Sequence, residues 1–156
     1  QNEWRPQAPT GGTKEVFYQA TTLYFSPTFY PLEGPLLTHS GARIDTAGDI
    51  GFVQGYVPWD FSAVTSLVAV ILASATLTPM TMTGRGYLAA NGEAHNTHDS
   101  GSTVLSINTT NQCIHEVNVA ALYAAIAAGD YLVFRLGRVA TQNTNLTLLG
   151  VRLRYT

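Results

Sequence analysis

The chain has 156 residues, only 12% of them charged, and a formal net charge of −2 at pH 7. One domain of that size buries about 69% of the surface of its unfolded chain, enough for a two-layer core without metals or disulfides, and the lone Cys113 leaves the redox compartment open. With one lysine, Lys14, seven arginines and no basic run, the chain lacks the clustered cations that phosphate binding needs, whereas its twenty threonines give a sparse, strand-favouring surface suited to packing against other protein.

Residues 1–14 carry two prolines, adjacent glycines and a single large apolar residue, Trp4. They cannot pack a core of their own, and an extended arm is expected. Gln1 is not an initiator methionine, which suits a processed chain or a numbering that begins past a leader. From Glu15 the pattern turns β-branched and aromatic (VFYQATTLYF), a first strand. Prolines 27, 31 and 35 then impose a long ordered loop that carries Phe29 and Tyr30.

ARID and IGFVQGYV read as short strands separated by the turn TAGD. VPWDF leads into a hydrophobic strand over 67–75. Its apolar run, 67–73, is far shorter than the ~20 residues of a membrane-spanning helix. It reads as a central strand buried on both faces. Pro79 and the alternation MTMTGRGYLAA predict an edge or bulged strand. A polar loop, NGEAHNTHDSGS, separates it from two further strands, TVLSI and QCIHEVNV, with Cys113 expected as a small buried hydrophobe.

Residues 119–128, VAALYAAIAA, predict a helix, with Asn118 to cap its start and Gly129 to end it. The segment 129–156 then reads as a closing hairpin, GDYLVFRLGRVA and LTLLGVRLRYT joined by TQNTN. Period-two alternation puts Leu132, Phe134 and Leu136 inside, with Leu149, Val151, Leu153 and Tyr155. Arg152 and Arg154 share the outward parity with Leu148.

Seven to nine short strands with one short helix before the last hairpin define the expected fold class. It is all-β, a single-domain antiparallel β-sandwich of jelly-roll type over 15–156, preceded by the arm 1–14. An immunoglobulin arrangement with its disulfide is excluded by the single cysteine.

The run from VPWDF through YLAANGEAHN, INTTNQCIHEVNVAALYAAIAAGDYLVFRLGR and LLGVRLRYT resembles small jelly-roll structural proteins of tailed phages. The Gly129-Asp130 entry and the terminal Leu-Gly-Val strand are also similar to the closing hairpin of tumour-necrosis-factor-like and complement-type jelly rolls. The resemblance spans 57–156 and implies architecture and assembly, with trimers typical of the second group. It implies no reaction.

Chemistry is thinly represented. Glu93, His95, His98 and Asp99 form the densest group of metal-ligand types, but their spacing fits no compact zinc motif. Asp45, Asp49 and Asp60 are best read as turn formers. No Gly-x-Ser-x-Gly elbow, phosphate loop or dinucleotide fingerprint occurs. No catalytic, cofactor-binding or metal-binding residue is therefore assigned, and an enzyme is not expected. The expected interface comprises Trp4 and Arg5 of the arm with Val133, Arg135, Leu148, Arg152 and Arg154 on the outward face of the hairpin.

These features point to a structural subunit that self-assembles or decorates a virion, tail or extracellular filament. Its partners are copies of itself and other structural proteins, with neither nucleic acid nor membrane, and its location is virion or extracellular. The alternative is a carbohydrate- or receptor-binding module whose ligand platform is Phe29, Tyr30, His95 and His98.

Overall fold

The computed structural model describes residues 12–22, 41–45, 48–139 and 145–156. Its ten strands are β1 (Lys14–Thr22), β2 (Ala42–Ile44), β3 (Ile50–Tyr56), β4 (Val64–Ala73), β5 (Leu77–Ala89), β6 (His98–Asp99), β7 (Thr103–Thr109), β8 (Ile114–Asn118), β9 (Tyr131–Arg138) and β10 (Leu146–Tyr155). Every pairing among them is antiparallel.

The strands form two layers. One runs β1-β10-β4-β8, with the short β2 beside β10; the other runs β3-β9-β5, with β7 and β6 on the far edge of β5. β1 belongs to both, since Lys14–Gln19 ladder with β10 and Ala20–Thr22 with β3. The chain passes from layer to layer between β2 and β3, β3 and β4, β4 and β5, β7 and β8, β8 and β9, and β9 and β10. That alternation is the jelly roll. The expected all-β sandwich is the fold.

The core lies between the layers. Leu67, Ala69 and Ile71 of β4 meet Leu132, Phe134 and Leu136 of β9, with Met80, Met82, Leu146, Leu148, Val151 and Leu153 around them. All seven residues of the run 67–73 are buried, as a central strand covered on both sides requires. Val68, Val70 and Leu72 form a separate outer cluster with Leu149.

The structure corrects several expectations. β9 and β10 do not pair, so they are not a hairpin: β9 lies between β3 and β5, while β10 lies between β1 and β4. A strand–turn–strand signal is the same whether the chain folds back beside itself or crosses to the facing layer. Leu148 is not an outward interface residue. A register shift between Leu148 and Gly150 puts Leu148 in the core, fully buried, and sends Leu149 to the outer cluster. The inserted residue inverts the alternation that holds elsewhere in the strand.

The helix expected over 119–128 is a single 3₁₀ turn, Ala120–Tyr123. Asn118 does accept the Ala120 amide, at 3.0 Å. Alanine's helix preference is a weak prior over ten residues. Here it yields to Leu122 and Tyr123, which are both drawn inward. β5 makes room for them with Gly86, where a Cβ would stand 2.9 Å from the Tyr123 ring. The Tyr123 hydroxyl donates to the Val133 carbonyl at 2.8 Å, and burial raises its pKa.

β5 carries the expected irregularity, a register shift between Leu77 and Met80 at the cis Thr78–Pro79 bond, but it is flanked on both sides rather than an edge. Lys14, placed in the arm by composition, opens β1. Cys113 is exposed in the turn before β8 rather than buried. Trp4, Arg5, Phe29 and Tyr30 lie outside the described residues. No helix among the described residues is long and apolar enough to cross a membrane.

Two measurements check this arrangement. Phe134→Ala should cost about 3–5 kcal/mol in urea unfolding, whereas Val133→Ala, on the opposite face of the same strand, should cost under about 1 kcal/mol. Cys113 should react stoichiometrically with a maleimide on the native protein; labelling only after unfolding would contradict its position.

Candidate functional site

Alternation along β3, β9 and β5 turns one side chain in two away from the core, and the strand registers align these outward residues in rows. Tyr56 faces Tyr131; Gln54, Val133 and Tyr87 form the next row; Phe52, Arg135 and Arg85 the next; and Ile50, Gly137 and Thr83 the last. The six steps from Tyr131 to Gly137 along β9, at about 3.4 Å each, make this face roughly 20 Å long, and two strand spacings make it about 10 Å wide.

One end is aromatic. The Tyr56 ring stands edge-on to Tyr131 at 5.4 Å between centroids and to Trp59 at 5.6 Å. Trp59 is 78% exposed and Tyr131 57% exposed. Their positions are set by backbone. Gly129, at φ 84°, accepts the Trp59 ring so closely that a Cβ there would fall 2.5 Å from it. The Gly129 amide donates to the Val57 carbonyl at 3.0 Å, and the Val57 amide to the Asp130 carbonyl at 2.8 Å. The buried Asp130 carboxylate accepts the Ala127 amide at 2.8 Å. Beneath the cluster, the Tyr18 hydroxyl donates to the Tyr56 carbonyl at 2.7 Å, and burial pushes its pKa up to about 12.

The other end is polar. The Arg85 guanidinium donates from Nε to Asp99 at 2.8 Å and from Nη2 to the second carboxylate oxygen. It also lies 5.1 Å from the Tyr87 ring centre. That pairing, with the Gly101 amide, holds the Asp99 pKa down at about 2. Arg135 sits 5.9 Å from the centre of the Phe52 ring. A shallow cleft of about 250 Å³ opens beside it, lined by Asp49, Thr83, Arg85, Arg135, Gly137 and Arg138 among others.

The residues expected from the sequence fall differently. Val133 and Arg135 belong to this face, but Arg152 and Arg154 lie on the outside of the opposite layer. There Arg154 pairs with Glu15 at 2.6 Å, and Arg152 reaches Glu116 at 2.5 Å. The three arginines therefore do not form one face. In the 91–102 loop, Glu93 accepts the Ala90 amide at 2.9 Å and lies 3.9 Å from His98, Asp99 is taken by Arg85, and His95 is exposed. No three His, Cys, Asp or Glu side chains converge to hold a metal among the described residues. Asp45 and Asp49 do shape a turn, with the Asp45 amide donating to the Asp49 carboxylate at 3.0 Å.

Tyr56, Trp59, Tyr87 and Tyr131 were not singled out by sequence. Tyr131 shares the outward parity of Val133 and Arg135, which is a readable signal. Only the β3–β9 register shows that it meets Tyr56.

No protein-family model matches the chain, and neither does any curated protein. A solved structure, the CBM36-1 domain of a multidomain xylanase from the hindgut metagenome of Trinervitermes trinervoides, is similar in fold. The match has a TM-score of 0.48 and 10% identity, and it covers 90% of this chain and 96% of that one.

The Arg85–Asp99 pair gives a pH test. Because the Asp99 pKa is depressed from 3.8 to about 2, its contribution is fully present above 3.8 and is lost as pH falls through about 2. Carboxyl carbon NMR should place the Asp99 midpoint near 2, and Arg85→Gln should return it toward 3.8. An unmoved midpoint in the variant would remove the pair as the cause.

Proposed function

We propose that this chain is a non-enzymatic carbohydrate-binding module and that the outer face of β3-β9-β5 is its binding surface. The observation that carries the reading is the Trp59–Tyr56–Tyr131 cluster, with Trp59 and Tyr131 exposed, at one end of a sheet face that also carries Gln54, Arg85 and Arg135. A pyranose ring presents an apolar C–H face edged by hydroxyls. An exposed aromatic ring receives the first by stacking, and planar polar side chains such as Gln54, Arg85 and Arg135 hydrogen-bond the second. The rows supply both kinds of group along one line, at a length suited to a short oligosaccharide. Groups placed on paired strands are also held in position before the ligand arrives.

A second reading is a homo-oligomeric structural subunit of a particle. It draws on the opposite outer face, where Phe17 and Ile114 are each 50% exposed. Against it, the Arg152 and Arg154 charges on that face are already matched within the chain by Glu15 and Glu116. Sedimentation giving a stable oligomer that Phe17→Ser dissolves would favour this reading.

The carbohydrate reading is tested on a glycan array and by affinity electrophoresis in polysaccharide gels. Trp59→Ala and Tyr131→Ala should each weaken binding by at least about tenfold while leaving the unfolding midpoint nearly unchanged. An array without signal, or binding indifferent to both substitutions, would discard the proposal.

A further inference from the structure

We infer that the cleft at the Gly137 end of this face seats a carboxylate, so that the preferred ligand is a polysaccharide containing uronic acid. The inference rests on the carbohydrate-binding reading and specifies its ligand class.

Charge is the first ground. On a chain of net charge −2, three of seven arginines converge on this one cleft. Asp49 is the one acidic residue in its lining, and Asp99 engages Arg85 from outside it. The arginines are also not equivalent. Arg85 has its Nε–Nη2 donor edge occupied by Asp99. Arg135 has no ion-pair partner among the described residues, and its guanidinium lies 5.9 Å from the centre of the Phe52 ring. A contact with a ring involves no carboxylate, so the Arg135 N–H donors are not committed to an internal ion pair. A guanidinium edge donates two parallel hydrogen bonds to a carboxylate, a match that a neutral hydroxyl cannot reproduce.

Shape is the second ground. Gly137 occupies an outward position in the last row, between Ile50 and Thr83, where any side chain would fill the floor. A Cβ there would stand 3.0 Å from the Thr83 hydroxyl. The resulting cleft, about 250 Å³, accommodates one sugar ring rather than a chain. From there the rows of the sheet lead along the face to the aromatic end, where the next units of the polymer stack.

The experiment compares polygalacturonate and alginate, each against its own methyl ester, in affinity electrophoresis and calorimetry. Esterification removes the charge and leaves the sugar rings in place. The acid forms should bind at least about tenfold more tightly than their esters. Arg135→Gln should erase that difference, Arg135→Lys should restore part of it, and Gly137→Val should weaken the acid forms by filling the floor. Binding of neutral glycans through Trp59 with no preference for either acid polymer over its ester would overturn the uronate assignment alone. A preference that survives Arg135→Gln would do the same. Absence of binding to any polymer, acid or neutral, would remove both this inference and the carbohydrate reading.

Discussion

The sandwich depends on one irregularity in its last strand. β10 is the only strand among those described that ladders with β1 and β2 along one edge and with β4 along the other. Its two halves carry apolar residues of opposite parity: Leu146 and Leu148 in the first, Val151, Leu153 and Tyr155 in the second. A regular strand could bury only one of these sets, because a shift of one residue sends every side chain to the other face. The break between Leu148 and Gly150 lets both sets point inward. It also fixes Arg152 and Arg154 outside, beside Glu15 and Glu116. Were the same sequence laid out as a regular strand, either the leucines would be wetted or the guanidinium groups would be forced into the core, a far more costly outcome.

What could be read from the sequence follows from how local the controlling interaction is. The burial of 67–73 and the inward set Leu132, Phe134 and Leu136 were legible, because unbroken apolarity and strict alternation are properties of one segment. The bulge was not. Adjacent leucines at 148 and 149 satisfy either parity, and only the pairing with β4 decides between them. The closing hairpin failed for a related reason. Close spacing of two strands says that they are neighbours in sequence, and a jelly roll systematically sends such neighbours to opposite layers. The alanine-rich segment after Asn118 failed because propensity alone lost to the burial of Leu122 and Tyr123 against β5.

The site was less legible than the fold. Its aromatic end joins residues 56, 59 and 131, and its polar end joins 49, 83, 85, 135 and 137, so no window of sequence contains either group. Outward parity identified Val133 and Arg135 as surface residues of one strand. It could not reveal that Arg152 and Arg154 look out from the other layer, since that requires knowing that β9 and β10 are unpaired. Gly137 illustrates the limit most plainly. As a residue it reads as a weak point in a strand, and only its placement between Ile50 and Thr83 makes it the floor of a cleft.

The same constraint that makes the fold gives the face its character. Because β9 lies in the middle of its layer, its outward residues are flanked on both sides by other outward residues, and none can retreat toward a loop. Trp59 is seated on Gly129, Arg85 is clamped by Asp99 and Tyr87, and Arg135 rests on Phe52. Each contact restricts a long side chain before any ligand is present, which lowers the entropy still to be lost on binding. A chain with few charges gathers three of its seven arginines around one cleft of this face. Affinity on such a surface comes from groups held in place, and selectivity from which of them remains without an internal partner. By that criterion the proposed ligand selectivity rests on Arg135, which has no ion-pair partner among the described residues, rather than on Arg85, which Asp99 already engages.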